Sequence, residues 1–361
     1  MNPNLSSLIQ VSAAARICFF GDHQDYLKLP VIAGTIDRKI FIKGRPNNKK
    51  KYLLQLTDIE EYKDMDLNQN INTVLPGDYF LSCLSLLQKK GGRFSQGYDI
   101  EITGNIPVNA GISSSSALVV AWLRFLLQVQ DTSLKPTQAE LGHWAYEAEV
   151  LFFDQPGGLM DQYTIAQENV LFIDTRTGNT EKLTPNMGTL ILAESGIPKQ
   201  TLTVLKNARV YGQEALKAVH EYDPNFDIYS AKAEDVQKYM AVVPDLYKKH
   251  WKAAVLNYNI TLQAKALLSE DAPNSSSLGK LMNAHQELLE NCIENTPSLM
   301  KVQINAALKA GALGAKIIGS GGGGCMVALT TEQSKSKVIN AFLAAGAKSA
   351  YEVKLITSTI E

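Results

Sequence analysis

Residues 98–128 read as a strand, a turn rich in glycine and serine, and an apolar helix. The strand covers Tyr98–Thr103, the helix begins near Ser114, and the turn contains Gly111 and the serines Ser113–Ser116. A helix N-terminus exposes free N–H groups, and glycine permits close backbone approach. The turn can therefore hold phosphates and leave one hydroxyl for a divalent cation. The alternative is a serine N-cap, although four serines exceed what a cap needs, and no Walker A lysine follows.

Length and pattern divide the chain into two parts. At roughly 100–200 residues per domain, a chain of 361 residues suggests two domains, with a junction near residues 180–195. β-Branched and aromatic runs flanked by turn residues predict these strands: Ala15–Phe20, Ile36–Lys43, Tyr52–Leu56, Val170–Asp174, Thr189–Glu194, Ala315–Ile318 and Cys325–Leu329. Helices are predicted at Ser114–Gln128, Gln138–Phe153, Thr201–Glu221, Pro244–Leu256, Ser277–Ile293 and Ser298–Lys309.

Two shorter features mark helix starts and turns. Thr137 stands three residues before Glu140, which is the spacing of a capping box at the start of the second helix. The run Lys49–Lys51 lies between two predicted strands, so we interpret it as a solvated hairpin turn rather than a basic patch.

A run of glycines, Gly319–Gly324 with Ser320 in it, formally contains G-x-G-x-x-G. A dinucleotide site needs a helix after such a loop, but Cys325–Leu329 reads as a strand. The run is therefore either a flexible hairpin turn or a loop whose backbone lies close to a ligand. The protein-kinase motifs HRD and DFG are absent from the sequence.

Polar residues cluster directly after the first apolar strand, where Asp22, His23, Asp25 and Tyr26 lie within five positions. Two carboxylates, an imidazole and a phenol can bind several hydroxyls of a polyol, or they can form an ordinary polar turn. Two more acids stand further along, and each is a candidate general base or metal ligand. They are Glu149, late in a predicted helix, and Asp161, after a Pro-Gly-Gly turn, where the alternative is an acid favoured by a helix N-terminus.

Composition excludes several classes of function. The formal net charge of −1 gives no electrostatic case for nucleic-acid binding. Four scattered cysteines without a CxxC predict neither a disulfide framework nor a zinc site, and they fit a reducing compartment. The first fifteen residues lack Lys and Arg, and the longest apolar stretch, Ala117–Val129, is too short to span a bilayer. We expect a cytoplasmic protein that contacts neither membrane nor nucleic acid.

Together these segments resemble the GHMP kinase superfamily, and within it most closely the galactokinase family. The galactokinase signature R-x-N-x-I-G-E-H-x-D-Y is similar to Arg16–Tyr26 without a gap. The family's A-E followed after ten residues by M-D-Q is similar to Ala148–Glu149 and Met160–Gln162 at identical spacing. The serine-rich turn resembles G-L-S-S-S-A, and Ile318–Cys325 resembles the family's third motif. The motifs occur in the family's order and cover nearly the whole chain.

The resemblance implies a fold, cofactors and residue roles. It implies two α+β domains, residues 1–187 with a ribosomal S5 domain 2-like fold and residues 188–361 with a ferredoxin-like fold, around a shared site. It implies ATP and Mg²⁺ as cofactors and a sugar as the substrate, in a monomer or small homo-oligomer. Asp161 would orient the acceptor hydroxyl and take its proton, with Arg16 near the transferring phosphate. The remaining implied roles are Mg²⁺ binding (Ser115, Glu149), ATP binding (Gly111, Ser113, Ser114, Ser115, Ser116, Gly321, Gly322) and sugar binding (Asp22, His23, Asp25, Gly158).

Departures from the galactokinase pattern concern the substrate rather than the phosphoryl transfer. Asp22 replaces the family's glutamate and reaches about 1.5 Å less far. The segment Glu194–Ile197 is closer to the Asp-Thr-Gly of mevalonate and heptose kinases. We expect a sugar 1-kinase for galactose, another aldose or a uronic acid. The alternatives are a kinase for a non-sugar alcohol such as mevalonate, and a non-catalytic sugar sensor.

Overall fold

The computed structural model describes residues 8–68, 73–107, 111–183, 186–199 and 201–357. Residues 108–110 of the predicted glycine–serine turn lie outside the described residues. Two sheets carry the helices: the strands of the first lie within residues 9–182 and those of the second within residues 189–353. This arrangement confirms the two-domain α+β fold that the resemblance implied. The predicted boundary between residues 187 and 188 falls in the connection between the sheets.

The first sheet has seven strands: β1 (Ile9–Phe20), β2 (Val31–Asn47), β3 (Lys51–Leu56), β4 (Glu61–Asp66), β5 (Gly97–Gly104), β6 (Val170–Asp174) and β7 (Asn179–Lys182). Their order is β4-β3-β5-β2-β6-β7, and β1 pairs with β2. Every residue of β1 from Ala13 to Phe20 is buried, as expected of a strand covered on both faces.

The predicted hairpin at Lys49–Lys51 is wrong, although the turn itself is present. β2 and β3 do not pair with each other, because β5 lies between them, antiparallel to β2 and parallel to β3. Gly97, the first residue of β5, fits under this turn: a Cβ there would lie 2.7 Å from the backbone nitrogen of Lys51. Turn chemistry therefore predicted that the chain reverses at this point, but not that β5 lies between the two strands that the turn connects.

The described part of the N-terminal half contains four α-helices: α1 (Tyr79–Lys89), α2 (Ser114–Val129), α3 (Gln138–Tyr146) and α4 (Met160–Gln167). On α2, the rings of Trp122 and Phe125 are buried and stack with centroids 5.4 Å apart. The predicted capping box of Thr137 and Glu140 opens α3. The helix predicted to reach residue 153 changes at Glu147–Leu151 into a π-helical turn. Such turns are common at functional sites, and this one carries Glu149.

The second sheet is antiparallel and has four strands: β8 (Thr189–Glu194), β9 (Gly314–Ile317), β10 (Cys325–Thr330) and β11 (Ser349–Val353). Their order, β11-β8-β10-β9, places the fourth, first, third and second strands side by side. The elements follow the β-α-β-β-α-β pattern, which confirms the ferredoxin-like expectation. Its helices are α5 (Thr201–Tyr222), α6 (Asp235–Tyr239), α7 (Lys248–Leu268), α8 (Ser275–Leu288), α9 (Ser298–Lys309) and α10 (Lys335–Ala344).

Several short elements were not predicted from the sequence: β4, β7, β11, α1, α6 and α10. Strand β4 illustrates the reason, because its sequence Glu-Tyr-Lys-Asp-Met-Asp is mostly charged and lacks a β-branched residue. It lies at the edge of the first sheet and pairs only with β3, where charged side chains face solvent. Pairing with a neighbour, which the local sequence does not encode, makes this segment a strand.

A buried ion pair joins the two sheets. The Nζ of Lys316, on β9, donates to the Oδ2 of Asp22 at 2.7 Å, and both side chains are fully buried. The ring of His285, on α8, lies 3.8 Å from the same carboxylate and stacks on Phe20. Burial, followed by the Lys316 ammonium, lowers the pKa of His285 to about 3.

Helix α8 packs so closely on β9 that we expect Gly279→Ala to destabilise the protein. A Cβ at Gly279 would lie 2.5 Å from the backbone carbonyl of Leu313. Alanine gains about 1 kcal/mol over glycine within a helix, but overpacking against backbone costs about 1–3 kcal/mol or more. Urea unfolding should therefore show a net loss of about 1–2 kcal/mol. Lys280→Ala, at the exposed next position of α8, is the control, and a stabilised Gly279→Ala variant would contradict this packing.

Acid should weaken the protein partly through His285. With a folded-state pKa of about 3 against an ordinary 6.5, the unfolded chain binds more protons between these values. The free energy of unfolding therefore rises with pH across this window. The contribution of the neutral His285 to stability is lost as the pH falls from 6.5 towards 3. We expect His285→Phe, which keeps the stacking on Phe20, to lower the slope of the unfolding free energy against pH by up to about 1.4 kcal/mol per pH unit. Equal slopes for both proteins in urea unfolding from pH 7 to pH 4.5 would refute this assignment.

Candidate active site

One cavity brings together residues that are far apart in sequence. It lies between the N-terminus of α2, the turn after β1, the segment that precedes α4, and the loops that follow β8 and β9. Most of the predicted site residues line it: Arg16, Asp22, His23, Asp25, Gly111, Ser113, Ser114, Ser115, Ser116, Glu149, Gly158 and Asp161. Residues from both halves of the chain therefore face a single site.

Arg16 and Asp161 form a bidentate ion pair in this cavity. Arg16 Nε donates to Asp161 Oδ1 at 2.7 Å, and its Nη2 donates to Oδ2 at 2.8 Å. The remaining terminal nitrogen donates to the Gly111 carbonyl at 3.0 Å. Burial acts to raise the pKa of Asp161, but the guanidinium and the Ser113 hydroxyl outweigh it and lower that pKa. Asp161 is therefore an ionised, firmly oriented hydrogen-bond acceptor.

Ser113 differs from its predicted role. Its hydroxyl donates to Asp161 Oδ2, so its side chain orients the acid instead of reaching towards a phosphate. Its backbone takes a left-handed conformation with φ of 61° and provides no side-chain cap to α2. The first N–H groups of α2, at Ser114 and Ser115, therefore have no capping side chain.

Asp25 and Gly158 are in direct contact. A Cβ at Gly158 would lie 2.2 Å from the Asp25 carboxylate, so only glycine leaves room for this acid. The Oδ1 of Asp25 accepts from the Tyr26 backbone N–H at 2.9 Å. Burial, and next the charge of Asp161, raise the pKa of Asp25 to about 6. Two carboxylates in one cavity thus have opposite pKa shifts.

Asp22, a predicted sugar-binding residue, lines the cavity and is held there by groups of the protein itself. Its Oδ2 accepts from Lys316, and its Oδ1 accepts from the Gly319 backbone N–H at 2.7 Å. Both oxygens have donors within the protein, and the side chain is 1% exposed. Asp22 therefore holds the glycine loop and β9 in place and does not extend towards a ligand.

His23 is also held by the protein. Its Nδ1 lies 2.8 Å from the Tyr26 hydroxyl, and its Nε2 lies 3.1 Å from the Ser320 carbonyl. Burial lowers the pKa of His23 to about 4, which keeps the ring neutral near pH 7. With Nε2 donating to the carbonyl, Nδ1 accepts from the phenol. The imidazole lines the cavity: its Nδ1 bonds within the turn after β1, and its Nε2 connects that turn to the glycine loop.

The glycine loop approaches the cavity at a different point from the one predicted. Gly319 and Ser320 line it, whereas Gly321 and Gly322 do not. A Cβ at Gly321 would lie 2.6 Å from the Asn295 carbonyl, and the N–H of Gly322 donates to that same carbonyl at 2.7 Å. Gly321 and Gly322 therefore pack against the connection before α9, and their predicted ATP contact is not supported by the structure.

Glu149 occupies a pocket of oxygen atoms. Its Oε2 accepts from Gln162 Nε2 at 2.7 Å, and burial raises its pKa despite hydrogen bonds from Gln162 and Ser115. The Oε1 of Gln162 is buried and has no hydrogen-bond partner among the described residues. A buried carboxylate without a cationic partner beside an unpaired amide oxygen suits a hard cation such as Mg²⁺. The predicted pair Ser115 and Glu149 therefore fits such an ion, with Gln162 as a further oxygen nearby.

The cavity lining also includes polar residues to which the sequence assigned no role, among them Gln155, Gln162, Lys199 and Ser320. Gln162 belongs to the Met-Asp-Gln stretch, which could have singled it out. No sequence signal marks Lys199, a lone lysine after Pro198. Burial, followed by the charge of Arg16, lowers the pKa of Lys199 to about 8.

None of the described helices is long and apolar enough to cross a membrane. No group of three or more His, Cys, Asp or Glu side chains in the described part of the chain is arranged to hold a metal ion. All four cysteines are buried and free.

Known proteins resemble the chain in both sequence and fold. The family model for the GHMP kinases N-terminal domain matches residues 78–169, and the model for the GHMP kinases C-terminal domain matches residues 264–348. The galactokinase of Pyrococcus furiosus is 26% identical over 92% of this chain and 92% of its own length. The mevalonate kinase of Thermococcus onnurineus is 27% identical over 94% of this chain and 93% of its own length.

Solved structures show the same fold. The galactokinase of Lactococcus lactis, solved in complex with galactose, superimposes with a TM-score of 0.85 at 21% identity and covers 98% of this chain and 95% of its own. The mevalonate kinase of Methanococcus jannaschii gives a TM-score of 0.72 at 17% identity, covering 97% of this chain and 99% of its own. With both family domains present in order, the chain belongs to the GHMP kinases and is a phosphotransferase that acts on an alcohol group.

Proposed function

We propose that the chain is a galactokinase-like sugar 1-kinase, which transfers the γ-phosphoryl group of ATP to the anomeric hydroxyl of a sugar. The observation that carries this proposal is the pairing of Asp161 with Arg16 in the same cavity as Asp25 and the N-terminus of α2. Phosphoryl transfer needs positioning and charge neutralisation more than covalent chemistry, and these groups supply both.

The acceptor hydroxyl is positioned by Asp161, which accepts its hydrogen bond. Because the pKa of Asp161 is lowered, this carboxylate is a weak base. The hydroxyl becomes acidic enough to lose its proton only when its oxygen begins to bond to phosphorus. Its proton then passes to Asp161. Arg16 is well placed to shift a hydrogen bond from Asp161 to the transferring phosphate, which would strengthen the base at that stage.

The nucleotide phosphates are held by the N-terminus of α2 and by glycines. The uncapped N–H groups of Ser114 and Ser115 provide donors and a partial positive charge, and Gly111 and Gly319 keep the backbone of both loops accessible. Ser115, Glu149 and Gln162 are the residues that would hold Mg²⁺. When bound, Mg²⁺ supplies neutralisation of phosphate charge.

The sugar is bound on the side of the cavity that holds Asp25. Among the described residues the Oδ2 of Asp25 has no hydrogen-bond donor, so it can accept a hydrogen bond from a ring hydroxyl, and the raised pKa makes the carboxylate a more basic acceptor. A site built around such a bond rejects compounds that lack the hydroxyl, because the acid is left unpaired. Since Asp22 is occupied by Lys316, we propose that it contributes to sugar binding only by fixing this turn.

A mevalonate kinase-like activity is the second candidate, because mevalonate kinases match this chain as extensively as galactokinases do. A non-catalytic sugar sensor is less favoured, since Asp161 and the serine turn are both intact. ADP release should be measured with galactose, other aldoses, uronic acids and mevalonate. Turnover with a sugar supports the proposal, turnover with mevalonate alone supports the second candidate, and ATP binding without turnover on any alcohol supports a sensor. We also propose a cytoplasmic enzyme that is a monomer or small homo-oligomer.

Replacing the base should stop turnover while leaving nucleotide binding intact. Asp161→Asn keeps the shape of the side chain but removes the negative charge, so kcat should fall by about 10²–10⁴-fold. Calorimetric binding of MgATP should change little. Asp154→Asn, an exposed position in the preceding turn, is the matched control. A folded Asp161→Asn variant with more than about a tenth of the wild-type kcat would exclude Asp161 as the base.

The neighbouring glycines give a paired test of the sugar side. Gly158→Ala should displace Asp25 and lower kcat/KM for the sugar by about 10²-fold, the cost of misplacing a group by about 1 Å. Gly157→Ala should be nearly neutral, because its Cβ would meet only Val150 at an ordinary 3.8 Å. Steady-state kinetics with sugar as the varied substrate give the answer. Equal behaviour of the two variants would show that Asp25 does not bind the sugar.

A further inference from the structure

Lys199 enters the cavity from the second domain, on the connection between β8 and α5. Its Nζ lies 3.1 Å from the position that a Cβ on Gly111 would take and 3.6 Å from the corresponding position on Gly319. The ammonium group therefore lies between the serine turn and the glycine loop. A side chain at either glycine would crowd it.

Backbone hydrogen bonds hold the segment before Lys199 in place. Ser195 N–H donates to the Gly324 carbonyl at 2.9 Å, and Gly324 N–H donates to the Ile197 carbonyl at 3.0 Å. Ile197 N–H also donates to Ser195 Oγ at 3.1 Å. Because the segment is fixed to the end of the glycine loop on both sides, the loop and the lysine are presented to the cavity together.

The charge of Lys199 is not neutralised by a contact. Within the described residues it has no hydrogen bond and no ion pair, while the nearby Arg16 is already paired with Asp161. Burial, followed by the like charge of Arg16, works against its protonated form, and its pKa is lowered to about 8. A half-buried cation beside another cation is stabilised when an anion binds between them. Lysine binds phosphate as a point charge, without needing the planar geometry of arginine.

We propose that Lys199 is a catalytic residue that donates a hydrogen bond to the γ-phosphate of ATP, beside Arg16. The proposal rests on the kinase function. In the step, the acceptor oxygen forms a bond to the γ-phosphorus, and the bond from that phosphorus to the β–γ bridging oxygen breaks. ADP leaves with the electron pair, and the hydroxyl proton passes to Asp161. Lys199 keeps its protons and stabilises the charge on the transferring group.

Nucleotide binding tests this role without any sugar. Calorimetry with Mg²⁺ should compare ADP and a non-hydrolysable ATP analogue on the wild type, Lys199→Met, Lys199→Arg and the exposed control Lys206→Met. Lys199→Met should raise the Kd of the ATP analogue by about tenfold or more, which is the worth of one charge-assisted hydrogen bond. The Kd of ADP should change by less than about threefold, because ADP lacks the γ-phosphate.

Turnover gives the second measurement. With the accepted alcohol, Lys199→Met should lower kcat by about 10²–10³-fold, as removal of one transition-state donor does, and Lys199→Arg should recover part of the loss. If Lys199→Met weakened the binding of ADP and of the ATP analogue equally, or left kcat unchanged, the proposal would be overturned. If the wild type phosphorylates no alcohol, the kinase function fails on its own, while the two binding constants still decide whether Lys199 recognises a γ-phosphate.

Discussion

The Asp22 carboxylate, buried between the two sheets, fixes the geometry on which the cavity depends. It follows β1, accepts from Lys316 on β9, and accepts from the backbone N–H of Gly319 at the start of the glycine loop. Removing one partner from such a pair typically costs about 3–5 kcal/mol, because the other charge stays buried and uncompensated. One side chain thus connects the first strand, the second sheet and the glycine loop that lines the cavity.

Two acids in the cavity, Asp161 and Asp25, have pKa values that their surroundings shift in opposite directions. Asp161 accepts hydrogen bonds from the Arg16 fork and the Ser113 hydroxyl, which lower its pKa. Asp25 lies half-buried beside Gly158 and has no ion pair among the described residues, and its pKa rises. When neighbouring carboxylates have pKa values pushed apart, their environments assign different tasks to chemically similar groups. Here they favour one acid for the reacting hydroxyl and the other for recognition of the substrate.

The same connection limits which groups of the polar turn after β1 can contact a ligand in the cavity. In this chain the first acid of the turn, Asp22, forms an ion pair with Lys316, and His23 is hydrogen-bonded to Tyr26 and the Ser320 carbonyl. Among the described residues, Asp25 is the one acid of the polar turn with an oxygen that makes no hydrogen bond. Recognition of the rest of the proposed sugar substrate therefore depends on groups from other segments that line the cavity.

The sequence by itself determined the elements whose signals are local. The capping box at Thr137, strand Val170–Asp174 and helix Ser298–Lys309 follow from side-chain pattern and turn chemistry. The resemblance of the sequence motifs to the GHMP kinases implied that Arg16 and Asp161 share one site. Tertiary structure alone decided what requires contact between distant segments. In the folded protein β5 lies between β2 and β3, Asp22, which was predicted to bind the sugar, pairs with Lys316, and Lys199 lies beside Gly111. Burial and pairing over hundreds of residues set those roles, and no local pattern encodes them.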